Sequence, residues 1–294
     1  MKSLSIIILT YNSEKDIYSC LNSVYQHNDI GEALEVIVVD NQSNEFAAMQ
    51  QEIAKHYPQV KIVQNTHNGG YGQGNNVGIH IAQAPNIAIM NPDVRLICPI
   101  FAHALKVLQE EDVMMCGGKQ MHTPTKLGWS YAFDYTAMGY LQVPLRNIYK
   151  RLDYYDYHRM HLSGAFFFIN KAYFEQIGLF DEQIFMYGEE CDIHQRLRKA
   201  FPKKRIAFLS ACPYLHLSME RPFEEKRYRQ LVAADLYVCR KHQLSVYKYI
   251  RIRLFALQLC YLRAKLFRNH NTTEILSYQL MIEVTKQIYQ EEKQ

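Results

Sequence analysis

Along the first hundred residues, apolar positions come in unbroken blocks separated by helical periodicities. Ile6-Ile7-Ile8-Leu9 is a continuous run rich in β-branched side chains, as a strand covered on both faces requires. From Ser13 to Val24 the apolar positions Ile17, Leu21 and Val24 recur at helical spacing behind Ser13, a residue type suited to capping. Glu35 to Val39 reads as a second buried strand, ending in the polar run Asp40 to Asn44. Residues 46–56 are expected to be helical, Val60 to Val63 and Ile87 to Met90 to be strands, and a further helix to begin near Asn75. Strands alternating with helices at this pitch imply an α/β fold with a mostly parallel central sheet flanked by helices. Polar residues collect where the strands end, and in open α/β sheets that carboxyl edge is where ligands bind.

From about residue 119 to 160 the periodicity dissolves into aromatics: Trp129, Tyr131, Phe133, Tyr135, Tyr140, Tyr149, Tyr154, Tyr155 and Tyr157. Such a stretch either stacks on sugar rings or anchors a long loop on a core, and the residues alone leave both open. A strand over Ala165 to Ile169 and a helix over about Glu189 to Lys199 follow, and from about Ser218 onward the pattern is helical. The division expected is an α/β domain over residues 1–218 and a helical extension over 219–294; if that extension serves a membrane, a chain ending near residue 240 should keep its chemistry at the sheet edge.

With 48% hydrophobic and 21% charged residues, 294 residues build an ordinary core with a soluble exterior. The formal net charge of +4 is too small to argue for nucleic acid. Seven scattered cysteines without a C-x-x-C pair fit reduced thiols in a cytoplasmic protein. The apolar run Leu4 to Leu9 is too short for a signal peptide, and nothing approaches the roughly 20 apolar residues of a membrane-spanning helix.

Between Asp235 and Glu274 there is no acidic residue, while Arg240, Lys241, Lys248, Arg251, Arg253, Arg263, Lys265 and Arg268 fall in that gap. Ile252, Phe255, Leu259, Leu262 and Leu266 form one apolar stripe of a helix there, and Ile250, Leu254, Leu257 and Tyr261 a second on roughly the opposite side. Two readings stand: peripheral contact of residues 240–268 with the anionic inner face of a membrane, or a helix packed on its own domain or on a partner in a homodimer.

Four strand ends carry groups able to hold a nucleoside diphosphate sugar: Thr10-Tyr11-Asn12, Asp40, the stretch Asn68 to Gly78, and Asn91-Pro92-Asp93. A carboxylate at Asp40 accepts hydrogen bonds from a base or ribose, or simply shapes an Asx-turn. Glycines let backbone approach a ligand closely. A divalent cation bridging two phosphates takes carboxylate oxygen, which Asp93 supplies. The glycine stretch is not a dinucleotide fingerprint, because Val77 stands where the third glycine belongs.

These strings, Ser5 to Asn12, Val36 to Ser43, Asn68 to Gly78, Asn91 to Asp93, Ser163-Gly164-Ala165, Phe180-Asp181 and Tyr187 to Asp192, closed by His216 and a basic helical tail, resemble the inverting family 2 glycosyltransferases of GT-A fold, in a rhamnosyltransferase-like bacterial branch. The resemblance implies a donor site lined by Thr10, Tyr11, Asn12, Asp40 (on the base), Asn68, Gly70, Tyr71, Gly72, Asn75 and Asn91. It implies that Asp93 is the last aspartate of a D-x-D metal motif whose first position is Asn91, with His216 near the metal, either Mn²⁺ or Mg²⁺. Glu189-Glu190 stands in place of the family's Glu-Asp pair, so Glu190 is the implied catalytic base. The implied partners are a UDP- or dTDP-linked donor and a saccharide acceptor, lipid-linked in a surface-polysaccharide pathway, with no nucleic acid.

The chemistry agrees. An acceptor hydroxyl is a poor nucleophile and needs a carboxylate within hydrogen-bond reach to take its proton. Glu189, Glu190 and Asp192 also favour a helix N-terminus, Asp192 and Arg196 are spaced for an ordinary surface pair, and His216 is open between a ligand and a satisfied core histidine. Nucleotidyl transfer would require a Gly-rich basic signature behind the first strand, which Asn12 to Lys15 lacks. A non-catalytic nucleotide-sugar or carbohydrate-binding protein of the same fold is the alternative that Asn91 favours.

Overall fold

A computed structural model describes residues 1–134, 146–217, 223–267 and 272–293. Tyr135, Tyr140, Arg268 and the expected boundary at residue 218 lie outside the described residues. The α/β half opens with strand β1 (Leu4–Thr10), helix α1 (Glu14–Gln26), β2 (Leu34–Asp40), α2 (Phe46–His56), β3 (Lys61–Gln64), α3 (Gly70–Ile81) and β4 (Asn86–Met90). It continues with β5 (Val94–Leu96), α4 (Phe101–Leu108), β6 (Val113–Thr123), β7 (Lys126–Leu127), β8 (Tyr131–Phe133), α5 (Arg146–Arg151), β9 (Met160–Leu162), β10 (Phe166–Asn170), α6 (Lys171–Gln176), α7 (Glu189–Ala200) and β11 (Arg205–His216). Helices α8 (Glu225–Lys241), α9 (Val246–Phe267) and α10 (Thr272–Glu291) follow.

The main sheet runs β3-β2-β1-β4-β10-β6-β11-β5, with β7 on β6. The four strands on the β3 side are mutually parallel, β10 enters antiparallel between β4 and β6, and β11 lies parallel to β6. The mostly parallel sheet expected from the run pattern is therefore present, with β10 as the reversed interior strand. Because successive side chains of a strand point to opposite faces, each apolar block supplies two cores at once. Ile6, Ile8, Val36, Val38, Phe166 and Phe168 pack with α1, α2 and α4 on one face. Ile7, Ile37, Val39, Ile89 and Phe167 pack with α3, α6 and α7 on the other.

Two local expectations are corrected. Helix α3 starts at Gly70, not near Asn75, and its glycines serve packing: a Cβ on Gly74 would meet Leu9 and Asn41 at 2.5 to 2.8 Å, and one on Gly78 would meet Ile7 at 2.6 Å. Close approach of helix to sheet, more than approach to a ligand, accounts for them. Ser13 does sit at the N-cap of α1, but its hydroxyl turns back to the Tyr11 carbonyl at 3.1 Å and caps nothing. The segment 97–118, given no element above, holds α4 and most of β6; Phe101, Ala104 and Leu108 at helical spacing and the run Val113 to Cys116 were the available signals.

The C-terminal helices build their own core from Tyr228, Val232, Leu236, Tyr249, Ile250, Val284 and Ile288. Among the described residues, no helix is long and apolar enough to cross a membrane. Phe168 is fully buried in the reversed strand, edge-to-face with Phe101 at 6.4 Å. Phe168→Ala should therefore lower the unfolding free energy by about 3–5 kcal/mol, read from the guanidinium midpoint.

Candidate functional site

The loops after β1 and β2 are tied together by the residues expected to face a nucleotide. Asp40 has no exposed surface: its Oδ1 accepts from the Thr10 hydroxyl at 3.2 Å and its Oδ2 from the Ser43 amide at 2.9 Å. Asp40 thus holds an Asx-turn, and Thr10, likewise fully buried, braces it. Asn12, at φ 50°, receives the Asn44 amide on its Oδ1 at 3.0 Å and gives its own amide to Ser43 Oγ at 2.8 Å. The Tyr11 ring is about half exposed on the rim.

One layer deeper, the Asn41 amide group donates to the Gly70 carbonyl at 2.9 Å and accepts from Asn65 at 2.8 Å, while Asn68 Oδ1 receives the Gly70 amide at 3.1 Å. Asn41 fell inside the string Val36 to Ser43 without a role assigned to it, and nothing in its spacing marks Asn65. Gly70 sits at φ 90°, where a Cβ would lie 2.1 Å from the Phe185 carbonyl, and Tyr71 donates its amide to that same oxygen at 2.8 Å. Gly72 similarly leaves room for Phe180. The start of α3 is thereby fastened to the loop that leads into α7.

That loop turns through Tyr187 at φ 75° and Gly188 at φ 88°, consecutive left-handed residues that deliver Glu189 and Glu190 at the first turn of α7. A non-glycine residue held at positive φ is a strained position of the kind that clusters at functional sites. Glu190 Oε1 accepts the Gly164 amide at 3.3 Å, and a Cβ on Gly164 would fall 2.5 Å from that oxygen, so only glycine leaves space for the carboxylate. The Gly164 carbonyl in turn accepts from the Tyr71 hydroxyl at 2.7 Å, and the neighbouring Ala165 carbonyl accepts the Asn91 amide at 2.8 Å. Burial first, then Glu190, Glu189 and Asp93, push the Tyr71 hydroxyl well above the ordinary tyrosine range. Glu189 is buried with one oxygen unpartnered; burial and the adjacent Glu190 hold its carboxyl well above the usual range. The Asn75 amide donates to the Tyr71 carbonyl at 2.9 Å, while its buried Oδ1 has no partner.

Asp93 and His216 come from segments over a hundred residues apart and meet because β5 pairs with the end of β11, placing Val94 opposite His216. His216 Nε2 lies 3.2 Å from Asp93 Oδ1, yet that oxygen makes no aligned hydrogen bond and His216 Nδ1 has no partner. Burial raises the Asp93 carboxyl, but His216 outweighs it and holds the group below its ordinary value. Buried oxygen and imidazole atoms left unsatisfied side by side fit a divalent cation of the Mn²⁺ type. A second cluster, Asp134, His161 and Cys191, has its donor atoms within 4.8 Å of one another. There, Asp134 already accepts from His161 at 3.0 Å and from the Arg198 guanidinium, and these two partners hold its burial-raised carboxyl down to about 2. A metal would have to compete with Arg198 for the same carboxylate, so this cluster reads as a buried ion network.

Beside Glu190 opens a cavity of about 380 Å³. Trp129, Tyr131, Phe133 and Tyr149 line it, with Lys119 paired to Asp153 at 2.7 Å and Arg253 paired to Asp235 at 2.8 Å. Of the two jobs left open above, the aromatic stretch does the anchoring, and four of its rings line this cavity. Tyr131 anchors against Phe208 and donates to the Tyr149 carbonyl at 2.9 Å, while Trp129 lies on the cavity wall beneath the Lys150 ammonium, 4.3 Å from the ring centroid.

Asp192 pairs with Arg196 as its spacing suggested, but in the interior instead of on the surface. Its side chain is 1% exposed and meets Arg196 at 2.7 Å, Lys241 at 2.8 Å and His242 at 2.8 Å. Lys241 also reaches Asp181 at 2.6 Å. A chain cut near residue 240 would lose both Lys241 and His242, so the tail is not separable from the helix that carries Glu190.

The sequence profile of the family described as Glycosyl transferase family 2 matches residues 5–178. The low-salt glycan biosynthesis hexosyltransferase Agl10 of Haloferax volcanii is 26% identical over 211 residues, 68% of this chain and 62% of that protein. The poly(ribitol-phosphate) β-N-acetylglucosaminyltransferase TarS of Staphylococcus aureus is 32% identical over 94 residues, 32% of this chain and only 16% of its own length. The chain therefore spans less than two thirds of either relative. Among solved structures, the mannosyltransferase PcManGT of Pyrobaculum calidifontis, in complex with GDP-Man and Mn²⁺, superimposes with a TM-score of 0.68 at 13% identity, covering 99% of this chain and 88% of that one. TarS residues 1–349 superimpose at 0.56 with 19% identity, covering 98% and 82%. The fold is GT-A-like.

Burial opposes ionisation of Asp192, but His242, Arg196 and Lys241 prevail and hold its carboxyl down to about 2, below the 3.8 of a free aspartate. A depressed folded-state value stabilises above the unfolded one and is lost as pH falls through the folded one. The contribution, on the order of 2 kcal/mol, should drain away between about pH 4 and pH 2. Urea midpoints across that window should fall less steeply for Asp192→Asn than for wild type.

Proposed function

We propose, since this chain belongs to glycosyl transferase family 2, that it moves a hexosyl or deoxyhexosyl unit from a UDP- or dTDP-linked donor to a saccharide hydroxyl, with inversion, in building cell-surface polysaccharide. The observation that carries this reading is the chain of contacts at the carboxyl edge of the sheet that joins Glu190 to Gly164, Gly164 to Tyr71 and Ala165 to Asn91, two residues before Asp93, which pairs with His216. The relatives' roles in glycan and poly(ribitol-phosphate) glycosylation point to the same reaction class.

In this reading the donor lies across the loops after β1 to β4. Asp40 and Thr10 serve it by holding the turn that presents Tyr11 and Asn12, and Asn68, Gly70, Tyr71, Gly72 and Asn75 form the wall at the start of α3, with Asn91 beside Asp93. Asp93 and His216 would hold a divalent cation, with Mn²⁺ favoured over Mg²⁺ because one donor is an imidazole nitrogen. When bound, that ion neutralises charge growing on the departing diphosphate. The acceptor sugar packs its CH face on Trp129 in the cavity and turns a hydroxyl toward Glu190, which takes the proton as the oxygen attacks. Burial first, and then the adjacent Glu190, raises the Glu189 carboxyl well above its ordinary range. A single displacement from the face opposite the leaving group inverts the anomeric carbon.

Asn91, standing where the first aspartate of the metal motif is expected, favours a second reading: a non-catalytic nucleotide-sugar-binding protein of the same fold. Hydrolysis of UDP- or dTDP-sugars on addition of Mn²⁺ separates the two, since a binding protein leaves the donor intact. Asp93→Ala should abolish Mn²⁺-dependent donor binding in calorimetry with the fold retained, because the residue sits at a strand end outside the core; unchanged affinity would rule out the metal assignment. Glu190→Gln keeps the shape but removes the proton acceptor, so transfer should fall by about two to four orders of magnitude while donor affinity holds. Near-normal turnover in that variant would mean that another carboxylate is the base.

A further inference from the structure

Of the two apolar stripes on helix α9, the one that starts at Ile250 is the more covered, with Ile250 buried and Leu254, Leu257 and Tyr261 half-buried. Tyr249, Ile250, Arg253, Ala256 and Ala264 are buried against the neighbouring helices. On the other side, Leu266 is 72% exposed, Leu262 50% and Phe255 47%, with Ile252 and Leu259 half-buried between them. At spacings of three and four residues these five side chains share one face. Exposed Arg251 and Lys265 run along one flank of this stripe, Arg263 lies on the other, and Lys248 sits at its N-terminal end. From Val246 to Phe267 there is no acidic side chain.

We propose that this face of α9 is a docking surface for an anionic phospholipid bilayer, with the stripe from Ile252 to Leu266 entering the headgroup boundary and the four cations meeting lipid phosphates. A continuous apolar strip edged by ammonium and guanidinium groups is complementary to a surface that is apolar beneath and negative above. A second copy of this chain is a poorer occupant: a two-fold contact would bring Lys248, Arg251, Arg263 and Lys265 against their own copies with no acid on α9 to offset them. The buried face of the same helix carries Arg253, which lines the cavity beside Glu190. A helix is about 10–12 Å across, so bilayer and cavity would lie roughly one helix diameter apart, a span suited to an acceptor whose reducing end is held in lipid. The docking itself does not depend on the transferase reading.

The test is co-sedimentation of the full chain with vesicles of phosphatidylcholine alone and of phosphatidylcholine with about one-third phosphatidylglycerol. Binding is expected to the anionic vesicles and to be lost, by about tenfold or more, when salt rises from about 0.1 to 1 M and the screening length shrinks from about 10 to 3 Å. Joint Phe255→Glu, Leu262→Glu and Leu266→Glu should lower the bound fraction by about tenfold, with circular dichroism, Tm and donor hydrolysis unchanged, because the three side chains lie outside both core and site. Should that variant fold poorly, joint Lys248→Ala, Arg251→Ala and Lys265→Ala should flatten the salt dependence instead. Absence of binding to anionic vesicles at low salt, or variants that bind like wild type with the same salt dependence, would overturn the proposal. Light scattering that finds a dimer dissolved by the triple glutamate variant would assign the face to a second copy and overturn it too. Vesicle binding by a wild-type chain that hydrolyses no donor would sink the transferase reading and leave the docking surface standing.

Discussion

Burial of both faces of the central sheet is the constraint on which the site depends. Strands β1, β2, β4 and β10 are apolar along nearly their whole length because helices cover them above and below. A strand packed this way has no room for working polar groups, so these appear at the strand ends, where the chain leaves the core. Thr10, Asp40, Asn91 and Ser163-Gly164 are all such terminal residues. Reversal of β10 then matters chemically: running antiparallel to β4, it begins where β4 ends and brings Gly164 and Ala165 beside Asn91.

Packing density decides the rest of the site's geometry. Gly70, Gly72, Gly74, Gly78 and Gly164 each leave a space that another residue fills, and at Gly164 the occupant is the Glu190 carboxylate itself. The Glu190 side chain is thus set by a missing side chain on a neighbouring strand end, by a left-handed turn before it and by a buried ion network behind it. That network joins Asp192, two residues past Glu190, to Lys241 and His242 at the end of α8. Removing one partner of such a pair strands the others in a desolvated setting, which couples the helical tail to the helix that carries Glu190.

The tail also has a chemical side. Arg253 and Asp235, buried together beneath Tyr228 and Tyr249, form part of the cavity wall next to Glu190. Helices that resemble an appendage therefore contribute to the site and expose a basic, apolar face on the side away from it. One element serves the fold, the cavity and the outer surface because a helix presents different side chains around its circumference.

Periodicity by itself determined the α/β class, the first four strands, the helices near residues 14, 46 and 189, and the edge at which polar groups gather, because a strand buried on both faces and an amphipathic helix leave one-dimensional traces. The motif strings pointed to Glu190, Asp93 and His216. Tertiary structure alone decided which atoms meet. Asp93 reaches His216 through a β5–β11 pairing that no local pattern announces, and Asp192 becomes a buried hub only once α8 folds back on it. Of two equivalent stripes on α9, only packing could select the one left open. Such contacts join residues tens to more than a hundred positions apart, and their specificity lies in shape and register, which a pattern of polar and apolar letters does not contain.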